Sequence, residues 1–240
     1  MLQFQTKYFA HRGLHSGDAA VPENSLSAFR QAVFQGYGIE LDLQLTADER
    51  VVVFHDDTLA RMCGKEGSVH DYTYEELCAF SLLGSEEKIP LFQEVLEVVD
   101  GRVPLIVELK SVPQKRLLAE HTMSFLDSYD GEYCIESFHP YYLLWLKQHR
   151  PWVKRGQLAE DFIKYNDSLP TAQKRVLRSM TTNFLTKPDF VAVDFRSRHM
   201  NTFRFWKKYA TPVAWTIRTE KELVIAKKYY EYFIFESIRP

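Results

Sequence analysis

Residues 38–56 read GIELDLQLTADERVVVFHD, and this stretch predicts two strands joined by a short turn. Apolar residues occupy every second position of the first strand, Gly38–Leu45, as expected when alternate side chains face opposite sides of a sheet. Only five residues separate it from Val51–Phe54. A parallel connection needs a dozen or more residues, so the second strand must return antiparallel, as a hairpin folded about Asp48.

The rest of the chain repeats a short apolar or β-branched run followed by a helical pattern, which is typical of strand–helix units and a parallel sheet. The strands of these units are expected at Lys7–Ala10, Gly38–Leu45, Val103–Leu109, Glu132–Phe138, Arg155–Ala159, Phe190–Phe195, Pro212–Ile217 and Tyr232–Phe235. They predict an α/β fold, the TIM (β/α)8 barrel, with the hairpin strand as an extra strand. Residues 57–90 are expected to form a small lobe with a short helix over one end of the barrel.

Side chains that cap helices stand between most of the predicted strands. Thr73 and Thr219 each begin the pattern Thr-x-x-Glu, in which both side chains bond reciprocally to backbone N–H groups. Asn24 or Ser25 precedes another helical pattern, and we interpret Asn24 first as the N-cap.

Length and composition predict one domain over residues 1–240. The chain is 45% hydrophobic, and a chain of this size buries roughly three quarters of its unfolded surface. No linker divides it. Cys63, Cys78 and Cys134 form no closely spaced pair, which argues against a disulfide framework or a thiolate zinc site and indicates a reducing compartment.

Charge and hydropathy exclude two classes of function. The net charge of −2 excludes a globally basic protein that binds nucleic acid, and no apolar run approaches the roughly 20 residues that span a bilayer. We therefore expect no stable membrane insertion. Because the first residues lack the apolar core of a signal peptide, we expect a cytoplasmic protein. The oligomeric state stays open.

Charge is divided unevenly along the chain. Residues 1–120 carry 11 basic and 19 acidic side chains, whereas residues 121–240 carry 19 and 13. One interpretation is an acidic metal site in the first half and a cationic rim for an anionic substrate in the second. The alternative is that these charges lie on solvated helix faces.

Polar residues stand within or at the ends of the first predicted strands, and the carboxyl ends of the parallel strands are where a barrel carries its active site. They are His11 with Arg12, the pair Glu40 and Asp42, His55 with Asp56, and the pair Glu108 and Lys110. Residues two apart on a strand point to the same side, so both members of each pair face one way. The hairpin brings His55 to the end that carries the acidic pair.

Three carboxylates gathered at one end of a barrel raise one another's pKa unless a cation balances them. Glu40, Asp42 and Glu108 offer only oxygen ligands, which favour Mg²⁺ or Ca²⁺ over zinc. The sequence therefore predicts one divalent cation at these three residues.

Two histidines and two cationic side chains complete the predicted site. Histidine titrates near neutral pH, so His11 and His55 are candidates for an acid and a base. Arg12 and Lys110 are candidates for binding an anion. Each motif alone fits a solvated strand end, whereas their joint order on successive strands indicates phosphoryl transfer.

Together these motifs resemble the glycerophosphodiester phosphodiesterase family, densely over residues 8–110 and more thinly afterwards. The resemblance rests on His11-Arg-Gly13, Pro22-Glu-Asn-Ser25, Ala28-Phe29, Ile39-Glu-Leu-Asp42, Thr46-Ala-Asp48, Val53-Phe-His-Asp56, Leu59, Arg61, Gly67-Ser-Val69, Asp71, Thr73, Ile89-Pro-Leu91 and Glu108-Leu-Lys110, and later on Ser137-Phe138, Gln157-Leu158 and Trp215-Thr216.

This family is a metal-dependent TIM barrel of the phospholipase C-like phosphodiesterase type, and the resemblance implies roles for the matched residues. It implies metal ligands at Glu40, Asp42 and Glu108, acid/base histidines at His11 and His55, and phosphate contacts from Arg12 and Lys110. From the later matches we place Phe138 and Trp215 in the substrate pocket, with barrel packing as the alternative for Trp215. Two positions depart from the family pattern: members often end the last strand with a Thr-Asp pair, where this chain has Phe235-Glu236-Ser237, and Arg218 stands where a small polar residue is common.

The predicted function is hydrolysis of a small-molecule glycerophosphodiester to glycerol 3-phosphate and an alcohol, in lipid and glycerol metabolism. Lysophospholipase D-like action on lysophospholipids is an alternative at the same site. A glycoside hydrolase also uses paired carboxylates at strand ends, but it leaves both histidines without a role. A non-catalytic protein that binds phospholipid head groups is the remaining alternative, and the intact acids and histidines count against it. The identity of the alcohol stays open.

Overall fold

The computed structural model describes residues 2–165 and 170–240, in which strands alternate with helices. The strands are β1 (Tyr8–His11), β2 (Gly38–Leu45), β3 (Val51–Val53), β4 (Leu105–Leu109), β5 (Tyr133–Ser137), β6 (Arg155–Ala159), β7 (Phe190–Asp194), β8 (Thr211–Ile217) and β9 (Tyr232–Phe235). The α-helices are α1 (Leu26–Gln35), α2 (Ala60–Cys63), α3 (Tyr74–Leu77), α4 (Phe92–Val99), α5 (Lys115–Leu126), α6 (Pro140–His149), α7 (Phe162–Tyr165), α8 (Thr171–Ser179), α9 (Asn183–Thr186), α10 (Asn201–Trp206) and α11 (Glu220–Ala226).

The strands form one sheet in the order β1-β9-β8-β7-β6-β5-β4-β2-β3, and β1 also pairs with β2. This additional pairing closes eight parallel strands into a (β/α)8 barrel and leaves β3 outside, which confirms the predicted fold. The predicted bounds of β2, β6 and β9 are confirmed as well. The other strands begin or end one or two residues away from their predicted positions.

The hairpin has the predicted direction and register. β3 pairs antiparallel with β2, and Leu43 lies opposite Val53. Beyond this pair, the Phe54 N–H donates to the Asp42 carbonyl oxygen at 2.9 Å. His55 therefore directly follows a residue whose backbone is hydrogen-bonded to the backbone of Asp42.

Contacts divide the chain into an N-terminal unit, Phe9–Tyr133, and a C-terminal unit formed by Met1–Tyr8 with Cys134–Pro240. In the N-terminal unit both faces of β2 are buried. Its apolar residues have almost no exposed surface, and Glu40 and Asp42 between them are 3% and 1% exposed. The strand therefore carries carboxylates into a region from which water is largely excluded.

The segment 57–90 forms a small apolar cluster with the hairpin, as expected for a lobe. Leu59, Met62 and Leu77 are buried there beside Val52 and Phe54. The sequence predicts one short helix in this segment. The structure has two short helices, α2 and α3, and a turn of 3₁₀ helix at Val69–Asp71 between them. The predicted capping box at the start of α3 is present.

In the C-terminal unit, strands β5 to β9 run parallel. The Phe233 N–H donates to the Lys7 carbonyl oxygen at 2.9 Å, and the Phe233 ring stacks on Tyr8 with centroids 5.7 Å apart. The predicted capping box at Thr219 begins α11. Across both stretches that the structure describes, no helix combines the length and the apolar character needed to cross a membrane.

Candidate active site

Three acidic side chains of the N-terminal unit lie together because of strand register. β1 pairs in parallel with β2, and β2 with β4, so that His11 lies opposite Glu40 and Asp42 lies opposite Glu108. Glu40 and Asp42 also share a face of β2, since they are two residues apart. Each acid in this carboxylate cluster (Glu40, Asp42 and Glu108) offers an oxygen within 4.8 Å of the others.

The carboxylate cluster is buried and only partly balanced. Lys110 Nζ lies 3.2 Å from Glu108 Oε1 and 3.5 Å from Asp42 Oδ1. Arg12 Nε lies 3.7 Å from Asp42 Oδ2. Lys110 and Arg12 thus bring two permanent positive charges to three buried carboxylates, and net negative charge is costly in a buried region.

The pKa values of two carboxyl groups in the cluster are shifted in opposite directions. Burial raises the pKa of Glu108, and the charge of Asp42 raises it further, although Lys110 opposes both. Burial also raises the pKa of Asp42, but the positive charges of His55 and Lys110 outweigh it and hold that pKa well below its usual range. Glu108 therefore resists ionisation unless another cation is present.

The carboxylate cluster fits a divalent cation. Asp42 Oδ1 is buried and has no hydrogen-bond partner among the described residues, so it is available as a ligand. A cation at the cluster would balance the excess negative charge and favour the ionised form of Glu108. Oxygen donors favour Mg²⁺ or Ca²⁺ over softer metals.

The last residue of β1, His11, and the first residue of the following turn, Arg12, lie beside the cluster. His11 Nε2 lies 4.0 Å from Glu40 Oε2, and the Arg12 N–H donates to the same oxygen at 3.1 Å. The next residue, Gly13, has a φ of 80°. A Cβ there would come within 2.9 Å of the Ala28 Cβ, so both the backbone and the space require glycine.

Asn24 belongs to the site, and its interpretation as the helix cap was wrong. Ser25 caps α1, because its side chain accepts from the Ala28 N–H. Asn24 is buried, its Nδ2 donates to Asp42 Oδ2 at 2.9 Å, and its backbone N–H donates to the Arg12 carbonyl oxygen at 2.9 Å. It therefore ties the turn after β1 to the carboxylate cluster.

His55 lies in a second charged group, the ion-pair network (Glu23, His55, Asp56 and Arg61). Its Nδ1 is 2.7 Å from Asp56 Oδ1. Arg61 donates Nε to Asp56 Oδ2 at 2.6 Å and Nη1 to Glu23 Oε2 at 2.9 Å. Glu23 Oε1 accepts from Arg12 Nη1 at 2.7 Å, so the network also reaches the arginine beside the carboxylate cluster.

The acids of the ion-pair network already have a cation. Glu23, His55 and Asp56 each offer a possible ligand atom within 4.8 Å of the others. However, Arg61 Nη2 lies 2.6 Å from Glu23 Oε1 and 2.9 Å from Asp56 Oδ1. The guanidinium therefore supplies the positive charge that a metal ion would bring, and the geometry favours the carboxylate cluster as the metal site.

The roles of Glu23, Asp56 and Arg61 were not foreseen from the sequence. All three stand within or close to the motifs that contain His55 and Asn24. The available signal was an opposite charge near a candidate catalytic residue, but pairing between separate motifs depends on the folded chain.

Phe138 and Trp215 lie in the C-terminal unit, where they contact each other edge to face with ring centroids 5.6 Å apart. Trp215 Nε1 donates to the Ala192 carbonyl oxygen at 3.0 Å, which fixes the indole. The two departures from the family pattern also meet, because Arg218 Nη2 lies 3.1 Å from Glu236 Oε2. These departures therefore form one ion pair.

Residues 11–231 match the model of the glycerophosphoryl diester phosphodiesterase family. The chain belongs to this family. A glycerophosphodiester phosphodiesterase of Bacillus altitudinis is 37% identical to it over 68% of this chain and 70% of the relative. A lysophospholipase D of Homo sapiens is 33% identical over 45% of this chain and 37% of the relative.

Among solved structures, a phosphodiesterase of Oleispira antarctica in complex with the product sn-glycerol-3-phosphate is similar to this phosphodiesterase. The TM-score is 0.78 at 24% identity, with 96% of this chain and 92% of the other covered, and this likeness shows the shared barrel fold. Family membership confirms the predicted enzyme class, a phosphodiesterase of glycerophosphodiesters. It also removes the glycoside hydrolase and the non-catalytic binder from consideration.

Proposed function

We propose that this phosphodiesterase converts glycerophosphodiesters to glycerol 3-phosphate and an alcohol with one divalent cation. The observation that carries the proposal is a buried group of three carboxylates, with two permanent cations, Arg12 and Lys110, and His11 beside it. Glu40, Asp42 and Glu108 are the proposed ligands. When bound, Mg²⁺ or Ca²⁺ supplies positive charge that stabilises the phosphate during reaction.

Arg12 and Lys110 are the proposed phosphate contacts. Burial lowers the pKa of Lys110, but the charges of Glu108 and Asp42 outweigh burial and raise it, so the amine stays protonated. The Arg12 guanidinium offers a planar fork that matches phosphate oxygens. Both side chains therefore remain cationic where an anionic substrate would bind.

His11 and His55 are the proposed acid and base. The nucleophile is assigned to the substrate, because the strand-end motifs carry no serine, cysteine or threonine in such a position. The glycerol 2-hydroxyl attacks phosphorus while one histidine takes its proton and the other protonates the departing alcohol. The phosphorus–oxygen bond to that alcohol breaks and a cyclic phosphate forms, which water then opens to glycerol 3-phosphate.

A substrate panel tests this function. We would measure kcat/KM for glycerophosphocholine, glycerophosphoethanolamine and 2-O-methyl glycerophosphocholine, with added cation and with EDTA. Both natural diesters should release glycerol 3-phosphate only with cation. The methylated compound should react far more slowly, because an oriented neighbouring hydroxyl lowers the barrier by several kcal/mol.

Each arm of the panel has a contrary outcome. Comparable turnover of the methylated compound would contradict the cyclic route and favour direct attack by water. Absence of glycerol 3-phosphate with every natural diester and every cation would contradict the function.

Lysophospholipase D activity at the same site is a second candidate, and similarity to the Homo sapiens lysophospholipase D favours it. A 1-acyl lysophospholipid keeps the phosphodiester and the free 2-hydroxyl, so the same residues would act on it. Release of choline from lysophosphatidylcholine, compared with glycerophosphocholine under one cation condition, decides between the two preferences.

Other assignments stay predictions. The edge-to-face contact of Phe138 with Trp215 supports a shared role in the substrate pocket. The span of the family match supports a single domain over residues 1–240. The free thiols of Cys63, Cys78 and Cys134 support a cytoplasmic location, and we propose a role in lipid and glycerol metabolism without a nucleic-acid partner.

A further inference from the structure

The ion-pair network joins the candidate acid/base histidine to the candidate phosphate-binding arginine. We infer that Arg61 is a positioning residue that orients His55 through Asp56 and Arg12 through Glu23. This inference rests on the roles proposed above for His55 and Arg12. It assigns Arg61 no contact with the substrate.

On one side, the network determines which nitrogen of His55 carries hydrogen. Burial raises the pKa of Asp56, but hydrogen bonds from His55 and Arg61 outweigh burial and hold that pKa well below its usual range. Asp56 is therefore ionised and only accepts hydrogen bonds. Its contact of 2.7 Å with His55 Nδ1 places the hydrogen on Nδ1 and assigns proton transfer to Nε2.

Arg61 in turn fixes the plane of the Asp56 carboxylate. Its Nε donates to Oδ2 at 2.6 Å, and its Nη2 donates to Oδ1 at 2.9 Å. Two parallel hydrogen bonds of this kind define the orientation of a carboxylate as well as its position. The Asp56 carboxylate therefore cannot rotate its Oδ1 away from His55 without breaking the hydrogen bonds to Arg61.

On the other side, Glu23 bridges two guanidinium groups. Its Oε1 accepts from Arg61 Nη2 at 2.6 Å and from Arg12 Nη1 at 2.7 Å, and its Oε2 accepts from Arg61 Nη1 at 2.9 Å. Among the residues that the structure describes, loss of Arg61 would leave the Glu23 side chain bonded to Arg12 alone. The guanidinium of Arg12 would then be less restricted on the side away from the carboxylate cluster.

The backbone of Arg61 is anchored while its side chain is half exposed. Leu59 and Met62 on either side of it belong to the apolar cluster of the lobe. The Arg61 side chain is 48% exposed, so its ion pairs contribute little to folding stability. Only arginine presents enough donors in one plane to bind two carboxylates, and lysine cannot replace this geometry.

Kinetics of single variants test the two sides separately. With glycerophosphocholine, Arg61→Gln should lower kcat/KM by about 10–10²-fold, the usual cost of losing a partner that orients a site residue. Asp56→Asn should mainly lower kcat, and Glu23→Gln should mainly raise KM. Arg116→Gln is the matched control, because Arg116 pairs with Glu120 at 2.8 Å on the exposed face of α5, and it should behave as wild type.

Arg61→Lys separates geometry from charge. It keeps the positive charge and loses the planar fork, so it should stay as impaired as Arg61→Gln. Thermal unfolding of each variant establishes that it is folded. Wild-type kcat and KM in a folded Arg61→Gln, or full rescue by Arg61→Lys, would overturn the inference.

Nitrogen-15 NMR of the His55 ring tests the positioning without turnover. The ring signals are assigned by their loss in His55→Gln. The Nδ1–H tautomer should predominate among neutral rings of the wild type, and its share should fall in Asp56→Asn. An unchanged tautomer in that variant overturns the inference, whereas a wild type inactive on every glycerophosphodiester contradicts the proposed function instead.

Discussion

The carboxylate cluster and the ion-pair network contain the same kinds of side chain but differ in how their charge is balanced. In the cluster, Asp42 and Glu108 face Lys110 and Arg12 at 3.2 to 3.7 Å, and Glu40 adds a third buried carboxylate. In the network, Arg61 bonds both carboxylates at 2.6 to 2.9 Å. Acidic residues in a group therefore do not by themselves identify a metal site, because the decisive property is the charge that remains unbalanced.

The carboxyl groups of the two regions record this difference. Burial and Asp42 raise the pKa of Glu108 in the cluster. In the network, burial is outweighed by hydrogen bonds, from Arg61 to Glu23 and from His55 and Arg61 to Asp56, and the pKa values of Glu23 and Asp56 are lowered. Ionisation of Glu108 is thus opposed in the cluster, whereas ionisation of Glu23 and Asp56 is stabilised in the network.

Removal of the cation should reveal the largest difference between the two regions, because the cation is assigned to the carboxylate cluster. We expect EDTA to abolish turnover, Mg²⁺ or Ca²⁺ to restore it, and Asp42→Asn to lower kcat/KM by at least about 10³-fold, since a bound cation contributes several kcal/mol. Glu23→Gln should still bind the cation. Elemental analysis of dialysed protein measures the metal, and full turnover by protein shown to be metal-free would refute the assignment.

The two histidines provide the next test, because His11 lies beside the carboxylate cluster and His55 belongs to the ion-pair network. His11→Ala and His55→Ala should each lower kcat by roughly 10²–10⁴-fold while the fold is retained, the range for losing a positioned acid or base. His121→Ala and His149→Ala serve as controls, since these rings contact backbone carbonyl oxygens. A near wild-type kcat in either of the first two variants would remove that histidine from the mechanism.

The smallest effect is on stability and should have opposite signs in the two regions. In metal-free protein at neutral pH, Glu108→Gln should raise Tm, because it removes a carboxyl group whose ionisation is opposed. Asp56→Asn should lower Tm by about 2–4 °C, the shift for roughly 1 kcal/mol in a chain of this length, reduced by the exposure of Arg61. Differential scanning calorimetry measures both.

The pH dependence of these differences follows from the direction of each pKa shift. The pKa of Glu108 is higher in the folded protein than in the unfolded chain. Its contribution to stability is therefore complete below the unfolded pKa and is lost as the pH rises through the folded pKa. The advantage of Glu108→Gln should therefore grow from about pH 4 upward. Asp56 stabilises above its unfolded pKa and loses that effect in acid, so the deficit of Asp56→Asn should be constant from about pH 5 to 8. Equal signs for the two variants would contradict the comparison.

The hairpin was predictable because its causes are local. A five-residue link is too short for a parallel crossover, and alternation of side chains then defines which residues of β2 and β3 face each other. The predicted start of β4 at Val103 was two residues early. Pro104 lacks an N–H for the ladder, and its carbonyl oxygen accepts from Ile39 before the regular strand begins.

Local reasoning could not choose between two neighbouring residues that both cap helices well. Asn24 and Ser25 are equivalent candidates by residue type. Asp42, which lies 18 positions away in the sequence, accepts from the Asn24 side chain, and this leaves Ser25 to cap α1.

The sequence by itself determined the barrel, the hairpin and the placement of acids and histidines at strand ends, since strand period and connection length act between near neighbours. Only the tertiary structure decided which charges are balanced. Arg61 meets Glu23 across 38 positions of sequence, and Lys110 reaches Asp42 from the residue that follows β4. Coulomb interactions depend on distance through space, so the choice between a metal site and an ion-pair network is made only when the chain is folded.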